Sequence, residues 1–368
     1  MARLGDYINI RTGKLDANAS SEDGQYPFFT CSVNPLRIDT YSYDCECALV
    51  AGNGDLNVKY YNGKFNAYQR TYIIESKDKN ILSVPYLYYF LDRYVEELRK
   101  QSIGGVIKYI KIGNLTEARI PMRSILEQGV VVVNLKKVND LITLRKQQLS
   151  KLDELVKSRF VEMFGDGEVL GVRSQGLGSR GDKWPMVKIE EVGFITSGGT
   201  PSRARPEYYN GKIRWYSAGE LNSLYLPDSV EHITEKALQE SSAKLFKKGS
   251  LLIGMYDTAA FKMGILTEDA SSNQACANLT PYEDYNVVWL YYLFEKMKPI
   301  FLKERQGVRQ KNLSLSKIKN FQIPIVPLSL QREFAAFVEK VDKLEFKAKA
   351  SLEKLETLKK AMMQKYFN

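Results

Sequence analysis

Two long stretches of this chain space their apolar side chains three and four apart on a charged background. The first runs from Ser124 to Phe164 without a proline and carries Leu135, Val138, Leu141, Ile142, Leu149, Leu152, Leu155 and Val156. The second runs from Leu328 to Phe367 with Phe334, Phe337, Val338, Val341, Leu344, Leu352, Leu355, Leu358 and Met362. Such spacing gathers one apolar stripe on an α-helix, and the intervening Lys, Glu, Gln and Arg favour helix and keep the other face wet. Forty residues of helix extend about 60 Å, too far to be buried by a domain of some 120 residues. Each predicted helix therefore needs a partner, and the other one has matching length. Ile120-Pro121 and Ile323-Pro324 precede the two stretches, as expected where proline is excluded from a helix interior. The valine run Val130–Val133, in the first turns of the first helix, is a weak helix former.

Ahead of each helix lie short β-rich runs punctuated by Gly, Asn and Pro: Cys47–Ala51, Arg70–Ile74, Lys212–Tyr216 and Ser250–Gly254. A shorter helix is expected around Pro85–Lys100, with a counterpart at Val287–Arg305. Each front reads as a compact α+β domain. Residues 165–183 hold six glycines in nineteen positions and read as a flexible connector. The expected boundaries are 1–123 for the first front domain, 124–164 for its helix, 165–183 for the linker, 184–326 for the second front domain and 327–368 for the last helix.

The chain also repeats itself. Leu87-Tyr88-Tyr89 recurs 203 positions later as Leu290-Tyr291-Tyr292. The same offset relates Lys100 to Lys303, Gly104 to Gly307, Lys108 to Lys311, Ile120-Pro121 to Ile323-Pro324, Gln128 to Gln331 and Phe164 to Phe367. A run without a gap that preserves the apolar spacing is a duplication. The starts correspond at an offset of 185, Arg3-Leu-Gly-Asp6 with Lys188-Ile-Glu-Glu191, so the second copy has 18 extra residues in its middle. Those middles share little, so each half has a divergent front and a similar back.

Composition narrows the function. Lys and Arg number 53 against 43 Asp and Glu, a net charge of +10, with +4 in residues 1–164 and +6 in 184–368. Two mildly basic, similar modules favour an anionic partner, nucleic acid before membrane. His232 is the single histidine, which argues against imidazole metal clusters and His-dependent triads. Cys31, Cys45, Cys47 and Cys276 read as reduced thiols, because Cys45-x-Cys47 lacks the two-residue gap of zinc and redox sites. The N-terminus does not look like a signal peptide and no run approaches 18 apolar residues, so a cytoplasmic protein is expected. There is no G-x-x-x-x-G-K-[ST], no Asn-Pro-Pro-aromatic tetrapeptide, and no Glu-x-Lys at nuclease spacing after Pro227-Asp228. The expectation is a non-catalytic chain with no cofactor of its own.

What remains is basic and polar residues among aromatics. Lys296 to Lys319 holds eight basic residues and one acid, including Lys303, Arg305, Arg309, Gln310 and Lys311. Its copy contributes Arg93, Arg99, Lys100, Lys108 and Lys111 against Glu96 and Glu97. Lys and Arg release counterions on meeting phosphates, and Gln, Asn and Arg can read base edges. Any one lysine reads equally as a solvated helix face. The loop Gly198 to Arg203 reads either as a support for phosphate through its backbone, Thr200 and Arg203, or as a plain connector. Asn53, Gln69, Arg70, Lys262, Asn273 and Gln274 are weaker candidates.

In this order, the residues resemble the specificity (S) subunits of bacterial type I restriction–modification systems. The resemblance rests on the two domain starts, on Gly198-Gly-Thr-Pro201, Trp215-Tyr-Ser-Ala218 and Asn273-Gln274, and on Ile120-Pro121…Glu127-Gln128. It rests also on Ile323-Pro324…Gln331-Arg-Glu-Phe334 and on Met163-Phe-Gly-Asp166, and it spans essentially the whole chain. It implies two target recognition domains held by an antiparallel coiled coil of the two helices with pseudo-twofold symmetry. Each domain would read one half of an asymmetric bipartite site on double-stranded DNA. Two modification (methyltransferase) subunits would dock and bring S-adenosylmethionine, and restriction subunits, where present, would bring ATP and magnesium. Two modules on one face of a duplex should sit about one turn, ~10 bp, apart. Two other readings fit the same residues: a free-standing DNA-binding or architectural protein, and an assembly protein whose basic patch is incidental. Helices that dock partners should expose apolar residues beyond those that pack the pair.

Overall fold

The computed structural model describes residues 1–165, 184–305 and 312–368, so 166–183 of the expected connector lie outside it. The chain forms two compact units, Met1–Gln148 with Ala348–Asn368, and Leu149–Lys347.

Unit 1 opens with Ala2–Arg3 (β1) and Ile8–Thr12 (β2), followed by Tyr26–Phe29 (β3), Leu36–Ile38 (β4), Tyr43–Ala51 (β5), Val58–Ala67 (β6) and Thr71–Ser76 (β7). Strands β2 to β7 build one six-stranded sheet in the order β2-β7-β5-β6-β3-β4. The helix Val84–Gln101 (α1) lies on it, capped by the Ser83 hydroxyl, which accepts from the Tyr86 N–H. Its apolar face, Tyr86, Leu87, Phe90, Leu91 and Leu98, joins Leu4, Ala48, Val50 and Ile74 in the core. Ile112–Thr116 (α2) and Arg119–Ile120 (β8) lead into the first long helix, Ile125–Phe164 (α3).

Unit 2 divides its front differently. Its strands are Met186–Lys188 (β9), Gly193–Ser197 (β10), Ile213–Tyr216 (β11), Asn222–Tyr225 (β12) and Glu231–Ile233 (β13), then, after Glu235–Glu240 (α4), Leu251–Gly254 (β14), Met263–Ile265 (β15), Ser271–Ser272 (β16) and Cys276–Pro281 (β17). They form a five-stranded sheet, β10-β17-β14-β15-β12, and a separate three-stranded one, β13-β11-β16. Val287–Phe301 (α5), Leu315–Asn320 (α6) and Gln322–Pro324 (β18) precede the second long helix, Leu328–Phe367 (α7). Helix α5 stops four residues short of the expected Arg305: a 3-10 turn at Leu302–Glu304 tightens its end, and Phe301 is held by stacking on Phe321 at 4.5 Å.

Strand pairing brings both repeat offsets into register. Ala2 pairs with Ile120 in unit 1, and Val187 with Ile323 in unit 2. The first residues of these pairs are related by 185 and the second by 203. The Leu4 N–H donates to the Ala118 carbonyl as the Ile189 N–H does to that of Phe321.

Helices α3 and α7 pair antiparallel. In unit 1, Asn134 reaches the Tyr366 hydroxyl and Lys146 pairs with Glu356; in unit 2, Arg159 pairs with Glu333. The end of each helix completes the other copy's front. Phe164 of α3 packs on Trp289, and Phe367 of α7 packs on Tyr86. The valine run, a weak helix former, is continuous helix as the expected span 124–164 requires, because Val131 and Leu135 are buried and tertiary packing outweighs propensity. One expectation needs correction: Leu141, Leu155, Leu344 and Leu358, placed on the packing stripe by periodicity, are about half exposed.

Candidate nucleic-acid interface

In unit 1 the strand ends converge on the turn Gly52-Asn53-Gly54-Asp55. The Gly52 N–H donates to the Arg70 carbonyl at 2.8 Å, and the Gly52 carbonyl accepts from Ile110 at 2.9 Å. A side chain at Gly52 would put its Cβ 2.4 Å from the Arg70 oxygen, so the close approach requires glycine. The Gly54 N–H, at a residue with φ of 68°, donates to the Lys108 carbonyl at 2.9 Å. Arg70, this turn and the loop at Lys108 thereby form one connected edge.

Arg99 closes over the same turn, its guanidinium donating to Asp55 Oδ1 at 3.0 Å and to the Leu56 carbonyl at 2.9 Å. It positions the turn, and its charge already faces a carboxylate. Lys100 pairs with Glu97 at 3.2 Å, and a surface pair of this kind holds a lysine only weakly. Gln69 donates to Asp16 Oδ1 at 3.4 Å. The Arg70 side chain is exposed.

Sequence reasoning missed a polar cluster beside this edge. The Cys31 thiol donates to Asn53 Oδ1 at 2.9 Å, Asn57 Nδ2 donates to the Cys31 carbonyl at 2.8 Å, and the Lys59 ammonium donates to Asn57 Oδ1 and to the Thr30 carbonyl. Burial lowers the Lys59 pKa from its ordinary value. The i, i+2 spacing of Asn57, just ahead of β6, and Lys59, on it, was the one sequence signal for it.

In unit 2 the Gly198–Arg203 loop behaves as structure. Gly198 and Gly199 donate their N–H groups to the carbonyls of Cys276 and Ser272, and the Gly199 carbonyl accepts from the Trp215 indole at 3.0 Å. Arg203 lies over the Tyr209 ring at 4.2 Å and donates both Nη groups to the Glu231 carboxylate, at 2.5 and 2.8 Å. Hydrogen bonds from Arg203 keep the Glu231 carboxyl below its usual range, so the guanidinium faces a charged partner at neutral pH. The loop's backbone and Arg203 are thus already engaged within the unit.

Thr200 reaches Gln274, its hydroxyl donating to Gln274 Oε1. Asn273 forms the turn that presents Gln274: its Oδ1 accepts from the Ala275 N–H at 3.1 Å. Gln274 opens onto a cleft of about 430 Å³ lined also by Ser197, Tyr256, Asn312, Ser314 and Lys317. Tyr256 lies within the 254–262 loop, closed by the Phe261 N–H donating to the Gly254 carbonyl and the Gly254 N–H to that of Lys262, each at 2.8 Å; Phe261 is fully buried at φ 54° and its ring packs on Phe301 at 4.9 Å. Lys303 is exposed, whereas Arg305 folds back to the Leu302 carbonyl at 3.1 Å. Arg309, Gln310 and Lys311 lie outside the described residues.

The remaining chemistry is structural. His232 bonds Asp228 at 3.0 Å, and burial pushes the Cys276 thiol up to about 12. Among the described residues no group of three or more His, Cys, Asp or Glu side chains stands together as a metal site, and no helix is long and apolar enough to cross a membrane.

Comparison with known proteins finds one family along most of the chain. A family model described as "Type I restriction modification DNA specificity domain" matches residues 1–154 and 181–357. The EcoDI specificity subunit of Escherichia coli is 37% identical over 154 residues, 42% of this chain and 34% of that protein, so the chain spans about a third of that relative. The MjaVIII specificity subunit of Methanocaldococcus jannaschii is 24% identical over 402 residues, covering 99% of this chain and 90% of its own. Among solved structures, the type I S subunit from M. genitalium superposes with a TM-score of 0.65 at 17% identity, covering 100% of this chain and 95% of that one. A chain from a structure of complex assembly and conformational transition in a type I R-M system gives 0.57 at 16% identity, covering 99% and 96%.

Proposed function

Because the chain belongs to the type I restriction–modification DNA specificity family, we propose that it selects the DNA sequence on which a type I complex acts. Each front domain reads one half of a bipartite duplex target, and α3 and α7 set the unread gap. The observation that carries this reading is a duplication with a shared back and unlike fronts, one six-stranded sheet against a five- and a three-stranded sheet. Unlike reading surfaces imply unlike half-sites, hence an asymmetric target.

The helices also have surface to offer partners. Leu141 and Leu155 on α3, and their counterparts Leu344 and Leu358 on α7, remain half exposed after the pair has packed. Leu126, Val130, Val133 and Leu144 extend the exposed apolar stripe on α3. A free-standing DNA reader has no use for such stripes, whereas two modification subunits docking there would cover them. In this reading the chain performs no chemical step. Base contacts are its contribution, S-adenosylmethionine belongs to the modification subunits, and ATP and magnesium belong to restriction subunits.

The test is co-expression with the modification subunit from the same host, followed by sequencing of methylated adenines. A bipartite motif with unlike halves is expected, and methylation that is the same with and without this chain refutes the reading. A second expectation concerns the Arg203–Glu231 pair. Glu231→Gln removes the carboxylate that occupies Arg203, so the complex should bind non-specific duplex more tightly, with a slope of log affinity against log salt steeper by about one. Anisotropy titrations between 50 and 200 mM salt read this out. An unchanged slope would place Arg203 away from the phosphates.

A further inference from the structure

Residues 103–109 of unit 1, Ile-Gly-Gly-Val-Ile-Lys-Tyr, form a small hairpin with an apolar tip. Its base is rigid. Ile103 and Tyr109 exchange both backbone hydrogen bonds, at 3.0 and 2.9 Å, and the next residue, Ile110, is buried in the core of the unit. The loop's Lys108 carbonyl and the Ile110 N–H tie it to the turn at Gly52–Gly54, the same edge that carries Asn53 and Arg70. Gly104 has φ of 115°, and a Cβ there would stand 2.6 Å from the Ile107 oxygen, so the bend is built for glycine. At the tip, Val106 is fully exposed and Ile107 is 63% exposed. Two adjacent branched aliphatic side chains are therefore held in water by a well-bonded support, which is unfavourable unless something covers them.

The surroundings point to nucleic acid as the cover. From Arg99 to Thr116 the chain has four basic residues, Arg99, Lys100, Lys108 and Lys111, and no acidic one. Lys108 and Lys111 make no ion pair among the described residues, while Arg99 and Lys100 do. An apolar tip beside unpaired lysines matches a polyanion that presents apolar surface between its phosphates. Duplex DNA has two such surfaces: the thymine 5-methyl group in the major groove, and the face of a base at an opened step. The duplicated sequence adds a contrast, since 203 positions later Val106 and Ile107 are replaced by Arg309 and Gln310, side chains suited to hydrogen-bonding base edges.

We infer that Val106 and Ile107 are a specificity-determining contact of unit 1, recognising apolar base surface where other readers use hydrogen bonds. The inference rests on the DNA-reading function proposed above. Its test uses the complete complex with modification subunits and a synthetic duplex bearing the site mapped by methylation sequencing. The variant is V106S/I107T, polar changes at exposed positions that leave the fold intact. Affinity for the site should fall roughly 10- to 100-fold. Melting temperature and complex assembly should not move, and the salt slope should stay the same because no phosphate contact is lost.

Two further arms separate the surfaces. If thymine methyl is the contact, uracil for thymine in the half-site weakens wild-type binding by as much as the V106S/I107T change does, and costs the variant nothing more. If an opened step is the contact, 2-aminopurine at that step brightens with the wild type and not with the variant. Variant affinity within twofold of a wild type that still prefers its site overturns the inference. So does a loss to which neither arm responds, or weakened assembly with unchanged DNA affinity, which would make the tip a protein contact. A wild type without any site preference strikes at the DNA-reading function itself and takes this inference with it.

Discussion

Ending the chain after Lys347 is expected to unfold the front of unit 1 and leave the core of unit 2 in place. The missing segment supplies Met363 and Phe367, both buried in the unit 1 core, where the Phe367 ring packs on Tyr86 at 5.1 Å and Phe90 at 6.0 Å. It also supplies Lys359, paired with Asp92 of α1 at 3.3 Å, and the Tyr366 carbonyl that accepts from Arg123 at 3.2 Å. Removing one buried Phe or Met side chain costs about 2–5 kcal/mol, and a whole domain is stable by only about 5–15 kcal/mol. Losing both, with the helix that carries them, removes most of that margin. Hydrogen exchange should show protection lost along α1 and kept along α5, whose aromatic partner Phe164 lies on α3. Protection that survives in α1 would contradict the assignment of the last helix end to unit 1. F367A alone should cost about 3–5 kcal/mol.

The second large effect is at a duplicated glutamine. Gln128 is fully buried; its Oε1 accepts from the Ser83 N–H at 2.9 Å, and its Nε2 donates to the carbonyls of Ile81 at 2.7 Å and Arg123 at 3.0 Å. Gln331 does the same 203 positions later, accepting from the Asn286 N–H and donating to the Val326 carbonyl, each at 2.8 Å. Ser83 and Asn286 are the caps of α1 and α5, so one amide ties the start of each short helix to the start of each long one. Gln128→Leu leaves buried backbone groups unpaired at about 1–3 kcal/mol each. A loss of about 3 kcal/mol would lower the melting temperature of a domain this size by about 6–12 °C.

Gln128→Glu is the sharper variant, because an ionised carboxylate cannot donate to the two carbonyls. Burial opposite carbonyl oxygens would raise the folded pKa of that new acid. The pH-dependent part of the deficit should then be absent below the unfolded value of about 4.3 and grow as pH rises through it, over a constant part that remains because a protonated carboxyl has one O–H for two carbonyls. Thermal melts at pH 4 and pH 7 measure this, and a pH-independent deficit would mean that the donations do not matter.

Both effects concern features whose existence was legible in sequence and whose purpose was not. Gln128 and Gln331 stood out as matched letters of a repeat and as part of the family resemblance, with nothing to mark them as buried bonding groups. Their burial and bonding follow from the meeting of three chain segments within each unit. Leu141, Leu155, Leu344 and Leu358 fit the helical period and were assigned to the packing stripe, yet the seam between two helices is narrower than the apolar stripe each one carries. Arg203 and Arg99 read as candidate DNA contacts. They are engaged by Glu231 and Asp55, 28 and 44 residues away, and no local pattern announces such partners.

By itself, the sequence determined the duplication, the two offsets of 185 and 203, the two long helices and the absence of familiar catalytic motifs. These are properties of periodicity and of matching along one chain, set by local backbone geometry and by which side chains avoid water. Only the tertiary structure decided which front each helix end completes, that the two fronts build different sheets, and which cations are free to meet an anion. Those outcomes depend on pairings between distant residues, where a hydrogen bond or a buried ring is settled by what the fold brings within 3 to 6 Å. The apolar tip at Val106 and Ile107 belongs to the same class, because exposure is a property of the folded surface and not of the letters.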